Sequence, residues 1–462
     1  MLLGLSKENI TKLMDEGKLK VSVYGLGRVG LPLAVAWLRA GQTVIGADID
    51  RETVNKINRG VSPFSDEPHI PEAVESFVNQ GRLKATTDLI EASKKSDVKF
   101  VTVPTTFSSK RFDGEALESA LRNLGRGLKR GDAVSIECTV PPTTTEEWAR
   151  PILEDESHLV AGKDFALVFS PERIYEGRVL EDIEERYPKV VGGIDQESTE
   201  LFSTLYGRIA KKGVIKMSSA TAAELSKLFE GIYRDVNIAL ANELSKLCHR
   251  LDVGFEEVRM ASNSQPFCHI HKPGAGVGGA CIPFYPYFVL EKAEERGLQM
   301  DLTRLAREIN EDMPDYVLSL AQEAMDEIGI GFQDTKTAVL GLSFRGDVAD
   351  SRMSPAYDIV DRLRELRARI VVHDPFIEHD EKLASKGVKL VRSIEDAVGG
   401  ASLLIIATDH TEYNDIDLTK IAQLMNSPAA VINGRNAIKI RQIPKGLYFT
   451  GIGLKVINTL SK

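Results

Sequence analysis

The stretch KVSVYGLGRVGLPLAVAWLRAGQTVIGADID, residues 20–50, decides the fold. Its first five residues, KVSVY, form a run rich in β-branched residues and predict a strand. The strand breaks into Gly25-Leu26-Gly27-Arg28-Val29-Gly30, a helical run (LPLAVAWLRA) follows, Gly41 stops it, and TVIGADID predicts a second strand ending in an acid. The glycines serve separate ends. Gly25 permits a tight turn, Gly27 lets a pyrophosphate approach the backbone closely, and Gly30 lets the helix pack closely on the strand. The orphan amides of the helix start then face the phosphates, with Arg28 and Val29 in the same loop. Asp48 stands where a carboxylate accepts both ribose hydroxyls and repels a 2′-phosphate, which favours NAD over NADP. A bare GxGxxG is a weak sign. Framed by two strands and followed by an acid it is a strong one, and a purely structural glycine turn is the lesser alternative.

Working outward, KFVTVPT (99–105), AVSIECTVPP (133–142) and FALVFSPE (165–172) predict further strands. Ligands of open parallel sheets sit at the carboxyl ends of strands. Thr105, Thr139 and Glu172 hold such ends. Singly, each reads as a turn or cap residue; together they suggest a site. From about residue 216 to 325 the pattern turns helical, with ATAAELSKLFEGIYRDVNIALANELSKLCHRLD as one long helix. Lys227 and Arg234 share a face of it with Glu230 and Asn237, a pattern that on its own most often marks a solvated charged face. The run HKPGAGVGGACIP (271–283) sets four glycines ahead of Cys281. Little side-chain bulk lets a substrate reach the thiol and lets amides face it, as a reactive thiolate needs. A small packed cysteine is the equal alternative. Near residue 336 the opening order returns: strand KTAVLGLSF, loop, helix, and strand RIVVHDP ending in Asp374, with Gly341 in place of the full fingerprint. ASLLIIATDH and PAAVINGRN continue it. A second α/β unit is expected, holding a ligand with phosphates or sugars.

The bulk numbers set bounds. At 462 residues the chain exceeds one ordinary domain, and 43% hydrophobic with 27% charged residues is a globular balance. A net charge of −9 without a basic stripe argues against nucleic acid. No apolar run is long enough to span a bilayer, the N-terminal stretch has no signal-peptide core, and no metal site is expected. Four cysteines without a CxxC pair form no disulfide framework and point to a reducing, cytoplasmic setting.

The pieces GLGRVGLPLA, VPTTF, ECTVPPTTT, SPERIYEG, AELSKLFEGIYRDVNIALANEL, PGAGVGGACIP, GLSFRGDVADSRMSP, ATDHTEY and NGRN resemble the UDP-glucose/GDP-mannose dehydrogenase family, in family order over nearly the whole chain. The resemblance is strongest to the branch that oxidises UDP-N-acetylhexosamines, UDP-N-acetylmannosamine among them. It implies two Rossmann-like doubly wound domains joined by a long helix and a helical dimerisation region. The expected divisions are 1–213 for NAD, 214–328 for the centre with the cysteine loop, and 329–462 for the UDP-sugar. It also implies a homodimer serving surface polysaccharide or glycan synthesis. The implied chemistry is a four-electron oxidation of the sugar C6 through a thiohemiacetal and thioester on Cys281. Lys227 would steady the oxyanion, and Glu172 with Thr139 would handle the water. Gly25, Gly27, Arg28, Val29, Gly30, Asp48, Thr105, Thr139, Glu176 and Arg352 would contact NAD. Arg173, Lys227, Arg234, Asn237, Gly278, Arg345 and Arg435 would contact the nucleotide sugar.

Several positions depart from the family pattern. Gly231 stands for an asparagine, Ala280 for a histidine, Tyr285 for an aspartate, Phe267 for an arginine, and Asn433 for an aspartate. Tyr285 reads either as part of an aromatic wall or as a hydroxyl donor to the thiohemiacetal. Alternatives to the main reading are a UDP-glucose or GDP-mannose dehydrogenase, a non-catalytic relative that binds NAD and nucleotide sugar, and a two-electron enzyme stopping at a carbonyl. Retention of Cys281, Lys227 and Glu172 favours a working four-electron enzyme.

Overall fold

The computed structural model describes residues 2–108, 110–438 and 442–460, and divides into two compact units, Met1–Phe229 and Glu230–Lys462. The first is built on an eight-stranded sheet. From one edge to the other its strands are Val214–Lys216, Lys189–Gly193, Ala166–Phe169, Ala133–Ile136, Val98–Val101, Lys20–Tyr24, Thr43–Ala47 and Leu83–Thr86. The chain enters in the middle, winds outward one way, returns and winds the other way. All neighbours run parallel except Ala166–Phe169 with Lys189–Gly193. The central strands are buried throughout because helices cover both faces. Every residue from Gly30 to Leu38 of the first crossover helix is buried for the same reason. On one face Trp37 stacks on Phe100 with ring centroids 5.2 Å apart, and Phe202 and Tyr206 complete the cluster. The expected strand 99–105 ends earlier, at Val101. Thr102 still donates its N–H to Tyr24 O at 2.8 Å, and turns its hydroxyl onto Tyr24 O and Gly25 O, both at 2.9 Å.

The second unit repeats the plan. Its seven strands run Lys389–Val391, Arg369–His373, Lys336–Leu340, Leu403–Ile406, Ala429–Asn433, Leu447–Gly451 and Ile457–Asn458 across the sheet. All pair in parallel except the last, which is antiparallel. The helix Met313–Ile328 buries Met313, Val317, Leu320, Ala321 and Ala324 at helical spacing against one face. In each sheet the winding reverses beside the first strand, and that switch point is where such folds bind ligands.

The long helix Ala220–Arg250 begins in the first unit and continues in the second. Its 31 residues extend about 46 Å at 1.5 Å per residue. The sequence pattern passed over the helix Lys7–Asp15, the strand Leu83–Thr86, the hairpin Thr106–Ser108 with Arg111–Asp113, and the edge strands after residue 389. Among the described residues no helix is long and apolar enough to cross a membrane, and no His/Cys/Asp/Glu group could hold a metal ion.

Candidate active site

At the switch point of the first sheet, the three glycines do different work. Gly25 adopts φ 88°, and a side chain there would meet Thr102 O at 2.9 Å. A Cβ on Gly30 would lie 1.8 Å from Gly25 O and 2.4 Å from the Thr102 hydroxyl, so only glycine lets this helix start so close to the strand. Gly27 faces open space, with no atom within 4 Å of where its Cβ would be. That is the cradle a pyrophosphate needs. Asp48 Oδ2 accepts the Leu26 N–H at 2.6 Å, and its Oδ1 accepts Asp50 N–H at 2.9 Å. The acid expected to hold ribose therefore also fixes the glycine loop. Arg28 pairs with Asp66 at 2.9 Å, reaches Glu176 at 3.9 Å, and lies over the Phe64 ring. Val29 directly precedes the helix.

At the neighbouring strand ends, Thr105 donates its hydroxyl to Thr139 O at 2.8 Å, and Lys227 Nζ donates to Glu172 O at 2.7 Å. Four sequence-expected residues thus meet in pairs. Behind them lies a group that sequence reasoning missed. Lys189 ion-pairs with Glu137 at 2.7 Å and also with Glu172, all three side chains being buried. Tyr206 donates its hydroxyl to Glu137 and exchanges a hydrogen bond with Ser135 at 2.8 Å. Burial pushes the Glu137 carboxyl up to about 8; Lys189 opposes this and the Glu172 charge adds to it. Burial works against the Lys189 charge, but the two carboxylates prevail and raise its pKa. Glu224, at the start of the long helix, accepts Thr143 N–H at 2.6 Å and Thr145 N–H at 2.8 Å, anchoring the segment after Thr139; burial pushes it up to about 7. Arg173 turns onto Pro188 O and the Tyr187 ring.

In the second unit the glycine loop is seated on neighbours that leave no room for side chains. A Cβ on Gly278 would lie 2.5 Å from Met353 O and 2.8 Å from Phe344 Cβ; one on Gly274 would lie 2.4 Å from Arg435 Nη1. Gly279 N–H donates to Arg352 O at 2.9 Å. The glycine loop therefore lies against the segment Phe344–Met353, which includes Arg345 and Arg352, at Gly278 and Gly279, and against Arg435 at Gly274. Arg435 pairs with Asp409 at 3.0 Å and Arg352 with Asp350 at 2.6 Å. The loop start is held by a buried chain. Gly274 N–H donates to Asn242 Oδ1, Asn242 donates to Asn310, and Asn310 donates to Asp235, which pairs with Arg307. The long helix so fixes the loop that ends in Cys281. On that helix Asn237 donates to Tyr233 O, one turn from Arg234.

Cys281 is exposed, whereas Cys138 is buried and Cys248 and Cys268 are half-buried. Burial pushes the Cys138 thiol up to about 12, which leaves it inert. Asp374, the second unit's counterpart of Asp48, is fully buried and saturated. It accepts N–H bonds from Leu342, Ser343, Phe376 and Ile377 and one from His410 Nε2. Burial works against its charge, but these donors prevail and hold its pKa well below the usual range. It binds its own loops rather than a ribose.

Comparison with known proteins matches this architecture part by part. Residues 19–210 match the NAD binding domain of the UDP-glucose/GDP-mannose dehydrogenase family, residues 221–312 its central domain, and residues 338–440 its UDP binding domain. The chain belongs to this family. The UDP-N-acetyl-D-mannosamine dehydrogenase of Pyrococcus horikoshii is 38% identical over 437 residues, covering 94% of this chain and 99% of that one. A solved structure of that organism's UDP-D-ManNAc dehydrogenase superposes with a TM-score of 0.85 at 36% identity, covering 94% and 99% of the two chains. The NDP-N-acetyl-D-galactosaminuronic acid dehydrogenase of Methanosarcina mazei superposes with a TM-score of 0.86 at 31% identity, covering 98% of each.

As a member of the UDP-glucose/GDP-mannose dehydrogenase family the chain is an NAD-dependent nucleotide-sugar dehydrogenase, and the open Gly27 cradle beside Asp48 fits that cofactor. Three of the departures from the family pattern, Gly231, Tyr285 and Asn433, acquire physical reasons. A Cβ on Gly231 would lie 2.3 Å from Tyr285 Cδ2, so the buried tyrosine ring fills the notch that any larger residue at 231 would need. The two departures are one packing solution, a coupling that neither position shows alone. Asn433 is buried and bonds within its own loop, accepting Ala437 N–H at 3.0 Å, so its change is structural. Phe267 is exposed.

Proposed function

We propose that this chain oxidises C6 of UDP-N-acetylmannosamine to the carboxylate, in two NAD-dependent steps joined by a covalent stage on Cys281. The observation that carries the reading is the exposed Cys281 thiol at the end of a tightly seated glycine loop, with Cys138 buried and Cys248 and Cys268 half-buried. The two relatives named above give the sugar class. Bound NAD supplies the hydride acceptor. Cys281 as thiolate adds to the C6 aldehyde, restoring a tetrahedral carbon that can lose a second hydride. Lys227, whose ammonium is steered by the Glu172 carbonyl, balances the oxyanion. Glu172 takes a proton from the hydrolytic water, with the Thr139 hydroxyl beside it. Arg345 and Arg435 meet the nucleotide phosphates, and Gly278, Arg173, Arg234 and Asn237 meet the sugar. Gly25, Gly27, Arg28, Val29, Gly30, Asp48, Thr105, Glu176 and Arg352 serve the cofactor.

The same reading divides the chain at 1–213, 214–328 and 329–462, and takes it to be a cytoplasmic homodimer supplying surface glycan synthesis. Tyr233, Leu240 and Leu247 form an exposed apolar stripe on the long helix, continued by exposed Leu251 just past its end, which supports a dimer. The test is NADH release against a panel of UDP- and GDP-sugars. UDP-N-acetylmannosamine should give the highest kcat/KM. Preference for UDP-N-acetylgalactosamine would move the chain to the second relative's substrate class, and preference for UDP-glucose or GDP-mannose would refute the assignment.

A further inference from the structure

The ionic cluster behind Glu172 joins four elements of the first unit. Glu137 follows the strand Ala133–Ile136, Glu172 follows Ala166–Phe169, Lys189 opens its own strand, and Tyr206 ends the helix Gln196–Tyr206. Two carboxylates meet one ammonium, so full ionisation leaves an excess negative charge out of water, which is costly. The hydroxyls facing Glu137 can hold the cluster but not neutralise it, and the further cations, Lys227 and Arg173, lie on the Glu172 side. Tyr206 OH and Ser135 Oγ lie at Glu137, the Tyr206 ring lies 5.0 Å from Lys189 Nζ, and Lys227 is engaged by the Glu172 backbone oxygen. On the outer side Glu172 and Lys189 line a small opening with Arg173, Asp182 and Tyr187.

We propose that Glu137 and Lys189 are positioning residues for Glu172, the three groups sharing one exchangeable proton that rests on Glu137. This rests on the reading of Glu172 as the base of the hydrolytic step. In that step the water oxygen bonds to the thioester carbon and the C–S bond breaks. Sulfur leaves with the bonding pair as the Cys281 thiolate, and the water proton passes to Glu172. With the shared proton present, this transfer gives the cluster a net positive charge until a proton leaves through the opening. With the shared proton already lost, the same transfer restores neutrality. Hydrolysis is therefore faster above the ionisation of Glu137, which burial and Glu172 hold at about 8 against the pull of Lys189.

The experiment follows the covalent adduct on Cys281 by quenched-flow intact mass, with UDP-N-acetylmannosamine and NAD, from neutral to alkaline pH. The wild-type rate of adduct loss should rise through an inflection near pH 8. Glu137→Gln keeps an acceptor for Tyr206 and Lys189 but cannot titrate, and should lose the inflection. Lys189→Met should slow adduct loss at neutral pH by about 10²-fold, the usual worth of a general base, without changing KM for either substrate. Lys189→Arg should restore most of the rate. Where Lys189→Met does not fold, the near-isosteric Glu137→Gln carries the test alone. An unchanged inflection in Glu137→Gln overturns the inference. Glu172→Gln separates the two levels: if it accumulates adduct while Glu137→Gln keeps the inflection, only the shared proton is refuted. If it turns over normally, the assignment of the base falls, and the inference with it.

Discussion

Gly231→Ala tests the packing of the two altered positions most sharply. In the interior of the long helix, alanine should gain about 0.8–1.0 kcal/mol over glycine from propensity alone. Against this, the new methyl would lie 2.3 Å from Tyr285 Cδ2, 3.1 Å from Cγ and 3.2 Å from Cβ. The contact reaches the root of a buried ring rather than a mobile tip, so the overpacking cost belongs in the upper part of the usual range, about 2–3 kcal/mol. The net expectation is a loss of about 1–2 kcal/mol. In a Tyr285→Ala background the two ring contacts are gone and only the 3.2 Å contact to Cβ remains, so the same substitution should stabilise by at most about 0.8–1.0 kcal/mol. The coupling in this double-mutant cycle is then at most about 2–3 kcal/mol. Tryptophan fluorescence would mislead, because Trp37 and Trp148 both lie in the first unit. Amide hydrogen exchange of the helix Tyr285–Glu295, read by mass spectrometry, reports on the right place. Equal effects of Gly231→Ala in both backgrounds, or a stabilisation in the wild-type background, would refute the reasoning.

Other expectations follow from the same geometry. Cys281→Ala should abolish acid formation while calorimetric NAD affinity stays unchanged, because the cofactor cradle is built by Gly25, Gly27, Gly30 and Asp48; turnover by this variant would remove the thiol from the mechanism. Asp48→Ala should raise KM for NAD by one to two orders of magnitude, from loss of charge-assisted bonds worth about 1.5–3 kcal/mol, and relax discrimination against NADP; unaltered cofactor preference would mean the acid serves only the Leu26 amide. Asp374 has a folded pKa held below its unfolded value of about 3.9. Its contribution to stability is therefore present above that value and lost as pH falls through the folded pKa. Asp374→Asn should lose about 1.5–3 kcal/mol at neutral pH and show a weaker decline in stability on acidification below about pH 4 than the wild type; parallel acid-unfolding curves would contradict this.

The sequence made the architecture readable wherever local pattern and tertiary role agreed. The strand, glycine loop, helix and acid of residues 20–48 could belong to little else, and the repeat near residue 336 extended the reading to the second sheet. Short edge strands such as Leu83–Thr86 and Lys389–Val391 escaped because three or four residues carry no periodicity. At the site, residues at strand ends were legible: Thr105, Thr139 and Glu172. Glu137 and Lys189 were not, because they lie 52 positions apart and only the sheet order brings them together. A charged residue inside an apolar strand end, as in SIECT or PKVVGG, was the available sign. Asp374 shows the converse. It copies Asp48 in sequence context, yet the six hydrogen bonds its two oxygens accept make it structural.

The central claim is that Cys281 couples two oxidations on one sugar carbon. The most direct measurement is the yield of NADH per mole of UDP-N-acetylmannosamine consumed, with the product mass determined in the same reaction. Two NADH per sugar and a carboxylate product are expected. One NADH per sugar with an aldehyde or ketone product would contradict the account.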